Sequence, residues 1–137
     1  MNDQQAEHTK GFPKADYVLV IDDDEQIQGL ITIVLESAGY TVKTVVNGEK
    51  ALELFNFEQP RLILLDMYTP TIDGWTFLAL YPRTPQPHAP IIAMSAALEG
   101  KTMPGVVSFL RKPFDITELL ALVSEYAGQP NGETQSS

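Results

Sequence analysis

A chain of 137 residues with 44 % hydrophobic content has the material for one compact domain and too little for two, since domains commonly run about 100 to 150 residues. Eighteen acidic against nine basic side chains give a net charge of −9, which argues against direct nucleic-acid binding or an anionic membrane surface, because both need clustered Lys and Arg. The absence of cysteine excludes disulfide scaffolds, thiolate zinc sites and cysteine nucleophiles, and with no signal-peptide core or membrane-length apolar run a cytoplasmic protein is expected.

Residues 1–14 are polar and aperiodic, and residues 128–137 read GQPNGETQSS, so both ends are expected to be disordered tails around a domain at 15–127. The second tail reads equally as the start of a linker. Within the domain, apolar β-branched runs alternate with helical periodicity, the pattern of βαβ units and a parallel sheet covered on both faces. Tyr17 to Ile21 reads as strand one, and Asp24 or a neighbour caps a helix with Ile27, Leu30, Ile31, Val34 and Leu35 on its apolar face, ended by Gly39. Thr41 to Val46 is strand two, Asn47 an N-cap, and Ala51, Leu54 and Phe55 the buried stripe of a short helix that stops before Pro60. Arg61 to Leu65 is strand three. Asp73 and Gly74 open a helix carrying Trp75, Phe77, Leu78 and Tyr81, with Trp75 and Tyr81 read as packing residues, and Pro82 stops it. A proline-punctuated connection leads to strand four at Ile91 to Met94, and strand five follows at Val106 to Leu110. Asp115, with Glu118 three residues on, opens a last helix with Ile116, Leu119, Leu120, Val123 and Tyr126 on its apolar face. His8 and His88 read as solvated surface groups.

In such a sheet, function gathers at the carboxyl ends of the strands. Strand one ends in Asp22, Asp23 and Asp24, and strand three in Asp66, so carboxylates from adjacent strands converge and repel unless a cation is present. Oxygen donors without His or Cys favour Mg²⁺, with Mn²⁺ as the alternative ion, over zinc. The acidic run at 22–25 also reads as a helix cap, but Asp66, directly after four apolar strand residues, does not. Ser95 ends strand four and Lys112 follows strand five. A hydroxyl and an ammonium beside carboxylates and a hard metal describe a phosphoryl site with Asp66 as nucleophile.

The segments VLVIDDDEQI (18–27), LILLDMYTPTIDG (62–74), PIIAMSA (90–96) and FLRKPF (109–114) together resemble the receiver domain of two-component response regulators, the chemotaxis-regulator type included. The resemblance implies a (βα)5 doubly wound, five-stranded parallel sheet of flavodoxin-like order 2-1-3-4-5. It makes Asp66 the phosphoacceptor, Asp23 a direct metal ligand, Asp22 an assistant through water, and the Tyr68 backbone carbonyl a further ligand. Ser95 becomes the switch hydroxyl, Lys112 the phosphate-contacting lysine before a cis Pro113, and Phe109 the switch aromatic. A histidine kinase or phosphotransfer protein donates the phosphoryl group, and a further protein reads the result. Two other functions compete: a Mg²⁺-dependent aspartyl phosphatase, and a receiver-like binding module that is never phosphorylated. Only seventeen positions separate Ser95 from Lys112, so the helix between strands four and five, the fourth in the usual order, is expected to be truncated or absent and the protein monomeric.

Overall fold

The computed structural model describes residues 15–96 and 103–130. Five parallel strands, β1 (Tyr17–Ile21), β2 (Thr41–Val45), β3 (Leu62–Asp66), β4 (Ile91–Ser95) and β5 (Val106–Arg111), form one sheet in the order β2-β1-β3-β4-β5. The described helices are α1 (Glu25–Ser37), α2 (Gly48–Leu54), α3 (Gly74–Leu80) and α4 (Ile116–Ala127), with a 3₁₀ turn at Tyr81–Arg83. Element order and topology are those expected from the sequence. The expected truncation between β4 and β5 falls on residues 97–102, outside the described residues.

β1, β3 and β4 are buried along their whole length because helices cover both faces, which is why they read as unbroken apolar runs. Alternate residues supply two cores. Leu19, Ile21, Ile63, Leu65 and Ala93 pack with Phe55, Phe77 and Tyr81 on one face. Val18, Val20, Leu62, Leu64, Ile92 and Met94 meet Ile31, Leu35, Leu119 and Val123 on the other. The helices start where the caps were read: Asp24 accepts from the Gln26 and Ile27 amides, Asn47 from Lys50, Asp73 from Thr76 and Asp115 from Thr117.

Three apolar residues assigned to buried stripes are exposed instead: Leu30, Trp75 and Ile116. In α1 the burial centres on Ile31 and Leu35, and Leu30 lies about 100° round the helix from Ile31, past the edge of the sheet contact. Trp75 and Ile116 sit in the first turns of α3 and α4, where the helix emerges from the sheet edge. His88 is not simply solvated: its Nε2 lies 2.7 Å from the Thr84 carbonyl and its ring meets Tyr81 edge-on. His8 lies outside the described residues.

The connection from α3 to β4 is held by a buried polar network. Tyr81 donates its hydroxyl hydrogen to Gln59 Oε1 at 2.7 Å and accepts from the Ala89 amide at 2.7 Å, while Gln59 Nε2 donates to Thr84 Oγ1 and the Pro85 carbonyl. Burial pushes the Tyr81 hydroxyl up to about 12, so it stays a donor throughout the physiological range. Tyr81→Phe leaves the fully buried Gln59 short of a donor and the Ala89 amide without its acceptor, and is expected to cost about 1–3 kcal/mol. Urea unfolding measures this; an unchanged midpoint would contradict it.

Candidate functional site

The carboxyl ends of β1, β3, β4 and β5 bring Asp22, Asp23, Asp66, Ser95 and Lys112 to one edge of the sheet. Asp22 is fully buried. Its amide donates to the Val45 carbonyl at the end of β2, its Oδ1 accepts the Asp24 amide at 2.9 Å, and its Oδ2 accepts from Lys112 Nζ at 2.7 Å. Asp23 is exposed. Asp66 Oδ1 accepts the Tyr68 amide at 3.1 Å, and Lys112 Nζ stands 3.6 Å from Asp66 Oδ2. One carboxylate oxygen from each of Asp22, Asp23 and Asp66 lies within 4.8 Å of the others.

The buried hydroxyl residue Ser95 ends β4, and its carbonyl accepts the Lys112 amide at 3.0 Å, which ties the lysine to the sheet edge. The Lys112–Pro113 peptide is cis, as the sequence resemblance implied. Phe109 pairs in register with Ala93, so it and Ser95, two residues past Ala93, share one face of the sheet. Phe109 is half-buried against the first core. Tyr68 stands two residues past the end of β3, with an exposed side chain.

Two residues support the site in ways the sequence does not show. Gln28, on α1, donates through Nε2 to the carbonyls of Asp22 at 2.6 Å and Val45 at 3.1 Å, so it fixes the backbone that aims the acidic run. A polar residue within an amphipathic helix gives no hint of this. Gly74 sits where a Cβ would lie 2.6 Å from Met67 Cα, and its amide donates to the Met67 carbonyl at 2.9 Å. The Asp-Gly pair at 73–74 was legible as a helix start, but its second purpose is to let α3 press against the backbone next to Asp66.

Three carboxylates against one ammonium leave a formal charge of −2 if all are ionised. Burial pushes the Asp66 carboxyl above its ordinary value; the Tyr68 amide opposes this, the Asp22 charge adds to it, Lys112 opposes and Asp23 adds. The donor set is all oxygen, converging and short of positive charge, so it fits magnesium.

A family model, the response regulator receiver domain, matches residues 18–124. The chain belongs to that family. It is 38 % identical over 112 residues to RpaA, a DNA-binding dual master transcriptional regulator of Synechocystis, covering 77 % of this chain and 46 % of RpaA. To NtrC, a DNA-binding transcriptional regulator of Escherichia coli, it is 37 % identical over 113 residues, covering 77 % of this chain and 24 % of NtrC. This receiver therefore spans about half the length of the first relative and a quarter of the second. Among solved structures, the receiver domain of a sensor histidine kinase from Pseudomonas aeruginosa, with a magnesium ion coordinated in its active-site cleft, superposes with a TM-score of 0.71 at 28 % identity, covering 87 % of this chain and 99 % of that one.

The raised Asp66 carboxyl has a consequence for stability. An acid that holds its proton more tightly when folded loses stability as pH rises from its unfolded value, about 3.9 for Asp, through its folded value. Metal-free Asp66→Asn is therefore expected to melt above the parent near neutral pH, with the gain shrinking as the pH falls towards the ordinary Asp value. Melting curves in chelator across that range measure it; a variant that melts lower at neutral pH would contradict it.

Proposed function

We propose that this receiver accepts a phosphoryl group on Asp66 from the phosphohistidine of a histidine kinase or phosphotransfer protein, in a magnesium-dependent step. The observation that carries this reading is the convergence of Asp22, Asp23 and Asp66 with Lys112 at one sheet edge. Magnesium, when bound, supplies neutralisation of carboxylate and phosphoryl oxygens that would otherwise repel. Asp23, Asp66 and the Tyr68 backbone carbonyl are the residues to hold it directly. Both Asp22 oxygens already have partners, Asp24 and Lys112, which supports an assisting role through water.

In the transfer, an Asp66 carboxylate oxygen forms the new O–P bond as the P–N bond to the donor imidazole breaks, and the imidazole leaves with the electron pair. Lys112 then faces the phosphoryl oxygens, and Ser95 donates its hydroxyl hydrogen to one of them. Inward movement of Ser95 vacates space on the sheet face it shares with Phe109, and Phe109 fills it, biasing a two-state equilibrium that a partner protein reads. The domain catalyses only its own phosphorylation and dephosphorylation and acts as a cytoplasmic monomer. RpaA and NtrC are DNA-binding regulators, but this chain matches part of each and carries a net charge of −9, which favours protein contact as its output.

Two observations weigh against the competing functions. An aspartyl phosphatase of this chemistry would want a second acid two residues past the nucleophile, where Tyr68 stands with its side chain exposed. A module that never takes phosphate would have no use for a lysine poised 3.6 Å from the acceptor carboxylate.

Acetyl phosphate with Mg²⁺ is expected to add one phosphoryl group to the parent protein, none to Asp66→Asn, and none to either in chelator. Intact-mass spectrometry reads all arms at once. Equal labelling of Asp66→Asn, or of the parent without divalent metal, would overturn the assignment.

A further inference from the structure

At the opposite edge of the sheet, three consecutive backbone carbonyls, from the last residue of α4 to the second residue beyond it, are captured by side chains from elsewhere in the chain. Arg61, the residue before β3, donates through Nε at 3.0 Å and Nη2 at 2.5 Å to the Ala127 carbonyl, and through Nη2 at 2.8 Å to that of Gln129. Between them, the Gly128 carbonyl accepts the Tyr40 hydroxyl at 2.7 Å. Tyr40 is buried, the Arg61 guanidinium lies 5.8 Å from its ring centroid, and the two donors brace each other. Pro130 closes the arrangement over Gly39, where a Cβ would stand 2.9 Å from Pro130 Cβ and where φ is +99°.

α4 has no basic residue in its last turn, so its unpaired carbonyls and the negative end of its dipole have no cation of their own. Arg61 supplies it from β3. A guanidinium forked between carbonyls two residues apart fixes both the helix end and the direction of the chain beyond it, which a single point donor cannot do. β3 thus carries Arg61 before its first residue and Asp66 as its last, roughly 16 Å apart at ~3.3 Å per residue.

We propose that Arg61 and Tyr40 form a clasp that straps residues 127–130 across the amino-terminal edge of the sheet. The chain leaves α4 at an angle set by the residues that precede β2 and β3 rather than by the helix, so Pro130 is held at the edge opposite the acidic cluster.

The chain has no cysteine, so a nitroxide on Gln129→Cys reports one position, on an exposed residue whose backbone, not its side chain, engages Arg61. Its electron-resonance spectrum is expected to be slow and ordered in the otherwise unsubstituted protein. Arg61→Ala should shorten the label's correlation time several-fold, and Tyr40→Phe, which keeps the ring and loses only the hydroxyl, should do so less. Circular dichroism melts establish that each protein is folded. If Arg61→Ala fails to fold, Arg61→Lys and Tyr40→Phe carry the test, because lysine keeps the charge without the fork. A label already fast in the parent, or equally slow in every folded variant, would overturn the clasp.

Discussion

Mutual repulsion among Asp22, Asp23 and Asp66 is the constraint around which the rest of this receiver is arranged. Left in water, three carboxylates would move apart; here β1 and β3 are adjacent and parallel, so their carboxyl ends place the oxygens within 4.8 Å. Lys112 offsets part of the charge through its 2.7 Å contact with Asp22 and leaves Asp66 less completely compensated at 3.6 Å. Desolvation raises Asp66 further from the ionised state. The site is therefore strained electrostatically in a direction that a divalent cation relieves.

A scaffold that holds like charges together has to resist their separation. The strands that carry the acids are buried on both faces, and each fully buried Leu or Ile adds about 1.5–3 kcal/mol relative to exposure. Local bonds then fix the ends: Gln28 joins the termini of β1 and β2, Gly74 brings α3 against Met67, and the Lys112 amide is fastened to the Ser95 carbonyl. Around Arg61, the far end of β3 is fastened as well, so the strand bearing Asp66 is anchored at both termini.

How much of this could be read in the sequence follows from range. Strand identity was legible because a doubly covered strand must be apolar at every position, as Val18 to Ile21 and Leu62 to Leu65 are. Asp66 stood out because it follows such a run where burial of a polar group needs a reason, and Asp22, Ser95 and Lys112 because they end or follow strands at the same sheet edge. Periodicity overreached at Leu30, Trp75 and Ile116, since it marks an apolar stripe but not how far the neighbouring sheet extends beneath it. Gln28, the Tyr81–Gln59 network, the half-buried His88 and the reach of Arg61 to Ala127 were not legible at all. Each depends on a contact between segments distant in sequence or on the path of an irregular connection, and no local pattern encodes it.

Magnesium is expected to answer the repulsion among the three acids. The most direct measurement is the melting temperature of the protein as MgCl₂ is raised at neutral pH and constant ionic strength, for the parent and for Asp23→Asn, whose exposed position spares the fold. Binding to the folded state alone should raise the parent's melting temperature with metal concentration and leave the variant nearly flat. Parallel curves for the two proteins, or a parent that does not respond, would contradict it.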